Sequence, residues 1–344
     1  MQYNNLNELG HWISEWAQNE NTKSNLSGDF QIFSELISNQ HSLNPWHTEQ
    51  DIVSMLKHLS YLLNEKNIKT WVSGYSHISK QNTKLPVLIK PNINHSFAGI
   101  HEWLCCIVTQ TPFILKADYN QYQVLKFLTN KLIQFNKNLS ELFYINENSK
   151  MKPQQFIIYT EKANGSLNQY FNNKKAIIIE PRPTIGIITG NEKSDDYCNL
   201  GKDIFLHLGQ SSRSLRKLYI PEGFDIKIII EAMEPFAYVY RNNKYANNYD
   251  YHQSVFLMER ISFLDNGFLL FKEDLSDEAP TGCLFYEYYT NLQTIIQKYQ
   301  NSEKTENIIC CEELPMKTFK PGTSHLFNLW EYNNKKDLIE FLIS

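Results

Sequence analysis

The chain has 344 residues, 42% of them hydrophobic, and 33 Lys and Arg against 37 Asp and Glu leave a net charge of −4. It is long and apolar enough for a core in two lobes, and it has neither the basic tract of a nucleic-acid binder nor the acidic tail of a disordered arm. No run approaches the roughly 18 apolar residues of a membrane span, and MQYNNLNELGHWISEW lacks the basic-then-apolar order of a secretory leader, so the expectation is a cytoplasmic protein.

Residues 1–44 are polar and weakly periodic and read as a helical layer joined by loops. In NPWHTEQDIVSMLKHLSYLLNEKN, Pro45 closes the preceding segment and Thr48 with Asp51 reads as a capping box. Ile52, Met55, Leu56, Leu59, Leu62 and Leu63 then fall on one helical face, which is core. From residue 86 the rhythm changes. PVLIKP, FILKA, FIIYT, AIIIE and TIGIIT are short apolar runs. Between them lie the helical stretches FAGIHEWLCCIVTQ, YNQYQVLKFLTNKLIQF (capped by Asp118) and GSLNQYF. Apolar strands alternating with helices predict a parallel sheet covered on both faces. A second α/β unit begins near residue 195. In it DIFLHLGQ, DIKIIIEAMEPF, HQSVFLMERI and NLQTIIQKY read as helices, and KLYIP, GFLLFKE, CLFYEYY and NIICCEE as strands. KKDLIEFLI closes the chain as an amphipathic helix.

The six cysteines are Cys105, Cys106, Cys198, Cys283, Cys310 and Cys311. Two adjacent pairs and two singles match no zinc or redox spacing, so they read as reduced and partly buried. The ten histidines are scattered, and His207 reads as a satisfied helix histidine. LHLGQSSRSLRKLYIP (206–221) is different. A glycine-started, serine-rich turn before a strand can present one side chain, here Ser212 beside Arg213. The residues alone leave open a nucleophile, a former nucleophile or a plain turn.

TGNE (189–192), GKDIFLHLGQSSRSLRKLYIP (201–221), NKYANNYDYHQSVFLMERISFLDNGFLLFKED (243–274), LFYEYY (284–289) and NLWEYNNKKDLIEFL (328–342) together resemble the long-chain acyl-CoA reductase family. That family is the fatty-acyl reductase of bacterial bioluminescence and its relatives, within the aldehyde dehydrogenase superfamily. The likeness runs over roughly residues 45–344 and is weakest before 180. It implies an α/β, aldehyde-dehydrogenase-like fold: a Rossmann-type cofactor domain with the helical layer (1–194), a catalytic α/β domain (195–310), and a C-terminal segment (311–344) returning to the first. It also implies a reaction of fatty acid metabolism, in which a cysteine attacks an acyl thioester and NADPH delivers hydride to release the aldehyde. The thioester partner is acyl-CoA or an acyl carrier protein, and a homo-oligomer is expected.

By this resemblance the catalytic cysteine falls on Ser212, and its preceding glycine on Ser211. Glu192 takes the place of the glutamate that acts as base or positions the nucleophile. Asn94 takes that of the oxyanion asparagine, and Lys116 that of the lysine at the adenosine end of the cofactor. The glycine–serine pair that meets the cofactor phosphates falls on Tyr159 and Thr160, or, with a short gap, on Gly165 and Ser166. A serine hydroxyl is far less acidic than a thiol, whose reference pKa is about 8.5, and it needs a neighbouring base. Its oxygen ester is also a poorer hydride acceptor than a thioester. The expectation is an acyl-CoA-reductase-type chain with little reductase activity. Two alternatives stand beside it: a non-catalytic acyl-binding or partner subunit next to an active paralogue, and a serine acyl hydrolase or transferase.

Overall fold

The computed structural model of the chain describes residues 3–22, 28–75, 78, 84–91, 97–116, 122–145, 152–160, 165–300 and 302–344. Helices lead: α1 (Asn4–Thr22), α2 (Asp29–Ser38), α3 (Gln40–Leu43), α4 (Glu49–Leu62) and α5 (Glu65–Ser73). Helix α4 starts where the capping box placed it, with the Thr48 hydroxyl oxygen accepting from Asp51 N at 3.1 Å. Its stripe, Ile52, Leu56, Leu59 and Leu62, is buried.

Strands and helices then alternate. They are β1 (Val87–Lys90), α6 (Ile100–Thr109), β2 (Phe113–Leu115), α7 (Gln123–Phe135), β3 (Phe143–Ile145), β4 (Gln155–Tyr159), α8 (Gly165–Phe171) and β5 (Lys175–Ile179). The five strands form a parallel sheet in the order β3-β2-β1-β4-β5. Runs such as FIL and FIIY suit it because a covered parallel strand is apolar on both faces. All ten residues of α6 are buried, Glu102 among them. The phenyl ring of Phe33 lies 5.2 Å from Trp12 and 4.7 Å from Phe127, which joins α1, α2 and α7. Asp118 lies outside the described residues, and β3 is a strand the sequence pattern did not reveal.

A second sheet follows, built from β6 (Thr184–Ile187), α9 (Ser194–Phe205), β7 (Leu215–Pro221), α10 (Lys227–Ala232), α11 (Asn243–Met258), β8 (Leu264–Asp265), β9 (Leu270–Glu273), β10 (Cys283–Tyr289), α12 (Leu292–Tyr299) and β11 (Ile308–Cys310). Its order is β11-β6-β7-β10-β9-β8, parallel except for the short edge strand β8. Two expected helices are shorter than the pattern suggested. DIFLHLGQ stops being α-helical at Phe205, because His207 and Leu208 take left-handed φ values of 54° and 51°. DIKIIIEAMEPF gives way after α10 to a 3-10 turn that begins at Glu234–Pro235, since proline cannot donate to a continuing helix.

The chain divides into one unit of Met1–Pro181 with Asn328–Ser344, which ends in α13 (Leu338–Ile343), and another of Arg182–Phe327. The first boundary therefore falls at 181, not 194. The reason is β6, which pairs with β7 and β11 rather than continuing the sheet of β5. The return to the first unit falls at 328, not 311. Asp203, on α9, accepts from Gly322 N at 2.5 Å and Ser324 N at 3.0 Å, which keeps that stretch with the second unit.

Candidate functional site

The turn that offers Ser212 is closed by its neighbours. Ser214 N donates to Ser211 O at 3.0 Å, and Arg213 N to Ser211 Oγ at 3.1 Å. Thr184 Oγ1 donates to the Ser212 carbonyl at 3.0 Å, which ties the turn to the first residue of β6. Arg216 donates from Nη2 to Gly209 O and from Nη1 to Ala279 O at 3.3 Å, and burial lowers its pKa from the ordinary value. The Arg213 guanidinium sits 5.2 Å over the Phe327 ring. Ser211, Arg213, Ser214 and Leu215 are buried, and Ser212 between them is half-exposed. The lead-in spends two non-glycine residues, His207 and Leu208, in the left-handed region, each costing on the order of 1 kcal/mol. Their burial at 2% and 3% exposure holds them there. The result is a rigid turn that presents one hydroxyl, with no hydrogen-bond partner for Ser212 Oγ among the described residues.

Glu192 was expected beside this hydroxyl, and the structure corrects that. Strand β6 runs parallel to β7, with Thr184 opposite Leu215 and Ile187 opposite Tyr219. Ser212 is tied to Thr184, at the start of β6. Glu192 is tied to Thr189, beyond its end. Its Oε1 accepts from Thr189 N at 2.7 Å, Thr189 Oγ1 at 3.1 Å and Cys311 Sγ at 3.1 Å. Its Oε2 accepts from Gly190 N at 2.9 Å and Tyr197 OH at 3.3 Å. From Thr184 to Thr189 the chain advances five residues, about 16 Å when extended. The two groups thus lie at opposite ends of one sheet and cannot flank one carbonyl carbon. The carboxylate closes its own loop, helped by Gly190 at φ 90°. Burial and then Glu192 push the Cys311 thiol up to about 12, and Tyr197 likewise to about 12, so both remain protonated donors.

Four of the other thiols are held protonated by burial. Burial pushes Cys105, Cys106 and Cys310 up and Cys283 to about 12, and a thiolate is what attacks. Among the described residues no cluster of His, Cys, Asp and Glu can hold a metal.

In the first unit the expected cofactor residues line the C-terminal edge of the sheet. Asn94 lies outside the described residues. Lys116, just past β2, is exposed, and its N–H donates to Ile89 O at 2.8 Å. Gly165 and Ser166 open the short helix α8 and are exposed; a Cβ on Gly165 would meet nothing within 4 Å. Tyr159, the gap-free position of the cofactor's glycine, has two partners that sequence reasoning missed, Glu102 and Asn333. Tyr159 OH donates to Glu102 Oε1 and accepts from Asn333 Nδ2 at 2.9 Å. Glu102 is 1% exposed, and burial raises its carboxyl pKa. A carboxylate inside the apolar run IHEWLCCIVT was the available signal, because a buried acid needs a donor.

No family model matches the sequence, and no curated protein matches it. Solved structures do. Aldehyde dehydrogenase 21 from Physcomitrella patens, in complex with the reaction product succinate, is 12% identical with a TM-score of 0.57 over 90% of this chain and 73% of that one. An NAD+ complex of an aldehyde dehydrogenase from Bacillus cereus is 11% identical, TM-score 0.56, over 89% and 71%. An acetylating aldehyde dehydrogenase from Geobacillus thermoglucosidasius is 8% identical, TM-score 0.54, over 98% and 86%. The fold is that of the aldehyde dehydrogenases. At these identities the likeness is one of fold, and function has to come from the site.

Proposed function

We propose that the chain is a non-reducing relative of the acyl thioester reductases, which binds a fatty acyl thioester of CoA or an acyl carrier protein without converting it to aldehyde. One observation carries the reading. The turn offered for nucleophilic attack is rigid and half-exposed, as a working site would be, yet it presents the Ser212 hydroxyl, and Glu192 is spent at the far end of the sheet. A hydroxyl without a base in reach is a weak nucleophile. The dehydrogenase-type fold and the sequence resemblance support the thioester as ligand and an active paralogue as partner.

The test pairs two measurements on the full chain. Acyl-CoA is expected to raise the melting temperature, since a ligand stabilises the state it binds. NADPH-dependent acyl-CoA reduction is expected to stay at background in the wild type and in Ser212→Cys. Turnover on the order of 1 s⁻¹ in the wild type would refute the reading. Steady release of free fatty acid that vanishes in Ser212→Ala would replace it with a serine hydrolase.

A further inference from the structure

In a sheet of order β3-β2-β1-β4-β5 the strand order reverses between β1 and β4. A dinucleotide in such a fold lies outside the carboxyl ends of those strands, on backbone that comes close because glycine stands there. Here the last residue of β4 is Tyr159. Its hydroxyl reaches Glu102 on α6, the helix that follows β1. The side chain therefore spans from the end of one diverging strand to the element after the other.

The C-terminal segment runs along the same edge. Asn333 Nδ2 donates to the Tyr159 hydroxyl oxygen at 2.9 Å, Asn334 Nδ2 to Glu180 O at 2.9 Å, and Lys336 Nζ to Ile178 O at 3.0 Å. Those partners lie at the ends of β4 and β5. The segment is anchored on both sides of these contacts. Before them, the His101 ring stacks on Tyr332 at 4.9 Å, and Tyr332 OH accepts from Trp71 Nε1 at 2.8 Å. After them, Tyr75 OH donates to Asp337 Oδ2 at 2.6 Å. Asn333 and Asn334 thus reach the strand ends from a strap fixed at Tyr332 and Asp337.

We infer that Tyr159 and the chain's own C-terminal segment occupy the crevice of a dinucleotide, so that the protein binds no nicotinamide cofactor. The residues at the pyrophosphate position do not fit the group. The phenol ring stands where backbone would have to approach, and the hydroxyl's donor and acceptor are both engaged within the protein. Lys116, Gly165 and Ser166 stay exposed at the same edge, so the closure is local to the β1–β4 divergence. The inference rests on the first unit alone and stands apart from the reading of Ser212.

The test titrates the full-length protein with NADPH and with NADH, following nicotinamide fluorescence. The wild type is expected to show no saturable signal up to about 1 mM; saturable binding below that overturns the inference. Tyr159→Gly removes the ring, and a gain of NADPH binding of at least roughly tenfold is expected. A variant that folds, by its melting transition, and still binds nothing also overturns it. Tyr159→Phe keeps the ring and removes only the hydroxyl. Backbone amides of residues 332–337 are expected to exchange roughly tenfold faster in it, the scale of one lost hydrogen bond, and unchanged exchange would show that Tyr159 does not hold the segment. Acyl-CoA binding is measured in parallel and is expected to be the same in the wild type and Tyr159→Phe, which separates failure of this inference from failure of the thioester reading.

Discussion

At the start of β7 the turn 211–214 is closed by its own backbone and by Thr184, and it leaves the Ser212 hydroxyl over. At the far end of the same sheet the loop 189–192 is closed by the Glu192 carboxylate, whose two oxygens take up five donors in doing so. The first arrangement holds a side chain ready. The second consumes one. A serine and a glutamate that look equally functional in a motif therefore have different roles, and the direction of β6 decides which. Helix α9 joins the two ends as the crossover between β6 and β7. Disturbing α9, then each end in turn, tests whether the contrast is real.

Gly201→Ala should have the largest effect. A Cβ there would lie 2.1 Å from Phe236 Cε2, with two further ring atoms within 2.7 Å. Overpacking of that kind costs about 3 kcal/mol or more. Thermal unfolding should show a large drop in melting temperature, and a near-normal value would mean that α9 is free to shift relative to Phe236.

Asp203, on the same helix, provides a pH-dependent probe. Burial raises its carboxyl from 3.8 to about 6, although Gly322 N and Ser324 N donate to it. The native state thus binds the proton more tightly than the unfolded chain does. This contribution to stability is complete below about pH 4 and is lost as pH rises through about 6, a difference on the order of 2–3 kcal/mol. Denaturant titrations between these pH values should show stability from this group falling with rising pH in the wild type and a flatter profile in Asp203→Asn. Equal slopes would show that Asp203 is not the titrating group.

Glu192→Ala should cost about 1–2 kcal/mol, because Thr189 N and Gly190 N lose their acceptor. It should also speed alkylation of Cys311 at mildly alkaline pH, since the carboxylate is one of the two main causes that hold the thiol up. Peptide mapping after iodoacetamide, with the half-buried Cys198 as internal reference, would reveal it. An unchanged Cys311 rate would mean that the thiol is governed by burial alone. Ser212→Ala should shift stability by less than about 0.5 kcal/mol. A larger loss would mean that the hydroxyl is bonded after all, and the contrast between the two ends would fail.

Much of the architecture was legible in the residues. Period-3.6 stripes set α4 and α7, and short apolar runs marked β1, β2, β4 and β5. The Thr48 box began its helix at the expected residue. What stayed hidden depends on partners distant in sequence. Residues 176–180 and 184–189 read alike as apolar strands, yet β5 and β6 belong to different sheets, because pairing is chosen by neighbours and not by local pattern. FYI at β3 is too short to stand out from its surroundings. LHLG reads as helix until two of its residues are found left-handed.

The functional positions divide in the same way. The chain by itself determined that a small, serine-bearing turn precedes β7, because glycine, serines and a following apolar strand impose that locally. It also determined that no cysteine stands at Ser212. Only the tertiary structure decided that Glu192 lies a full strand length from that hydroxyl, and that Tyr159 meets both Glu102, 57 positions before it, and Asn333, 174 positions after it. Side-chain chemistry is written residue by residue, whereas which groups share a space follows from strand direction and from where the chain's end returns to pack.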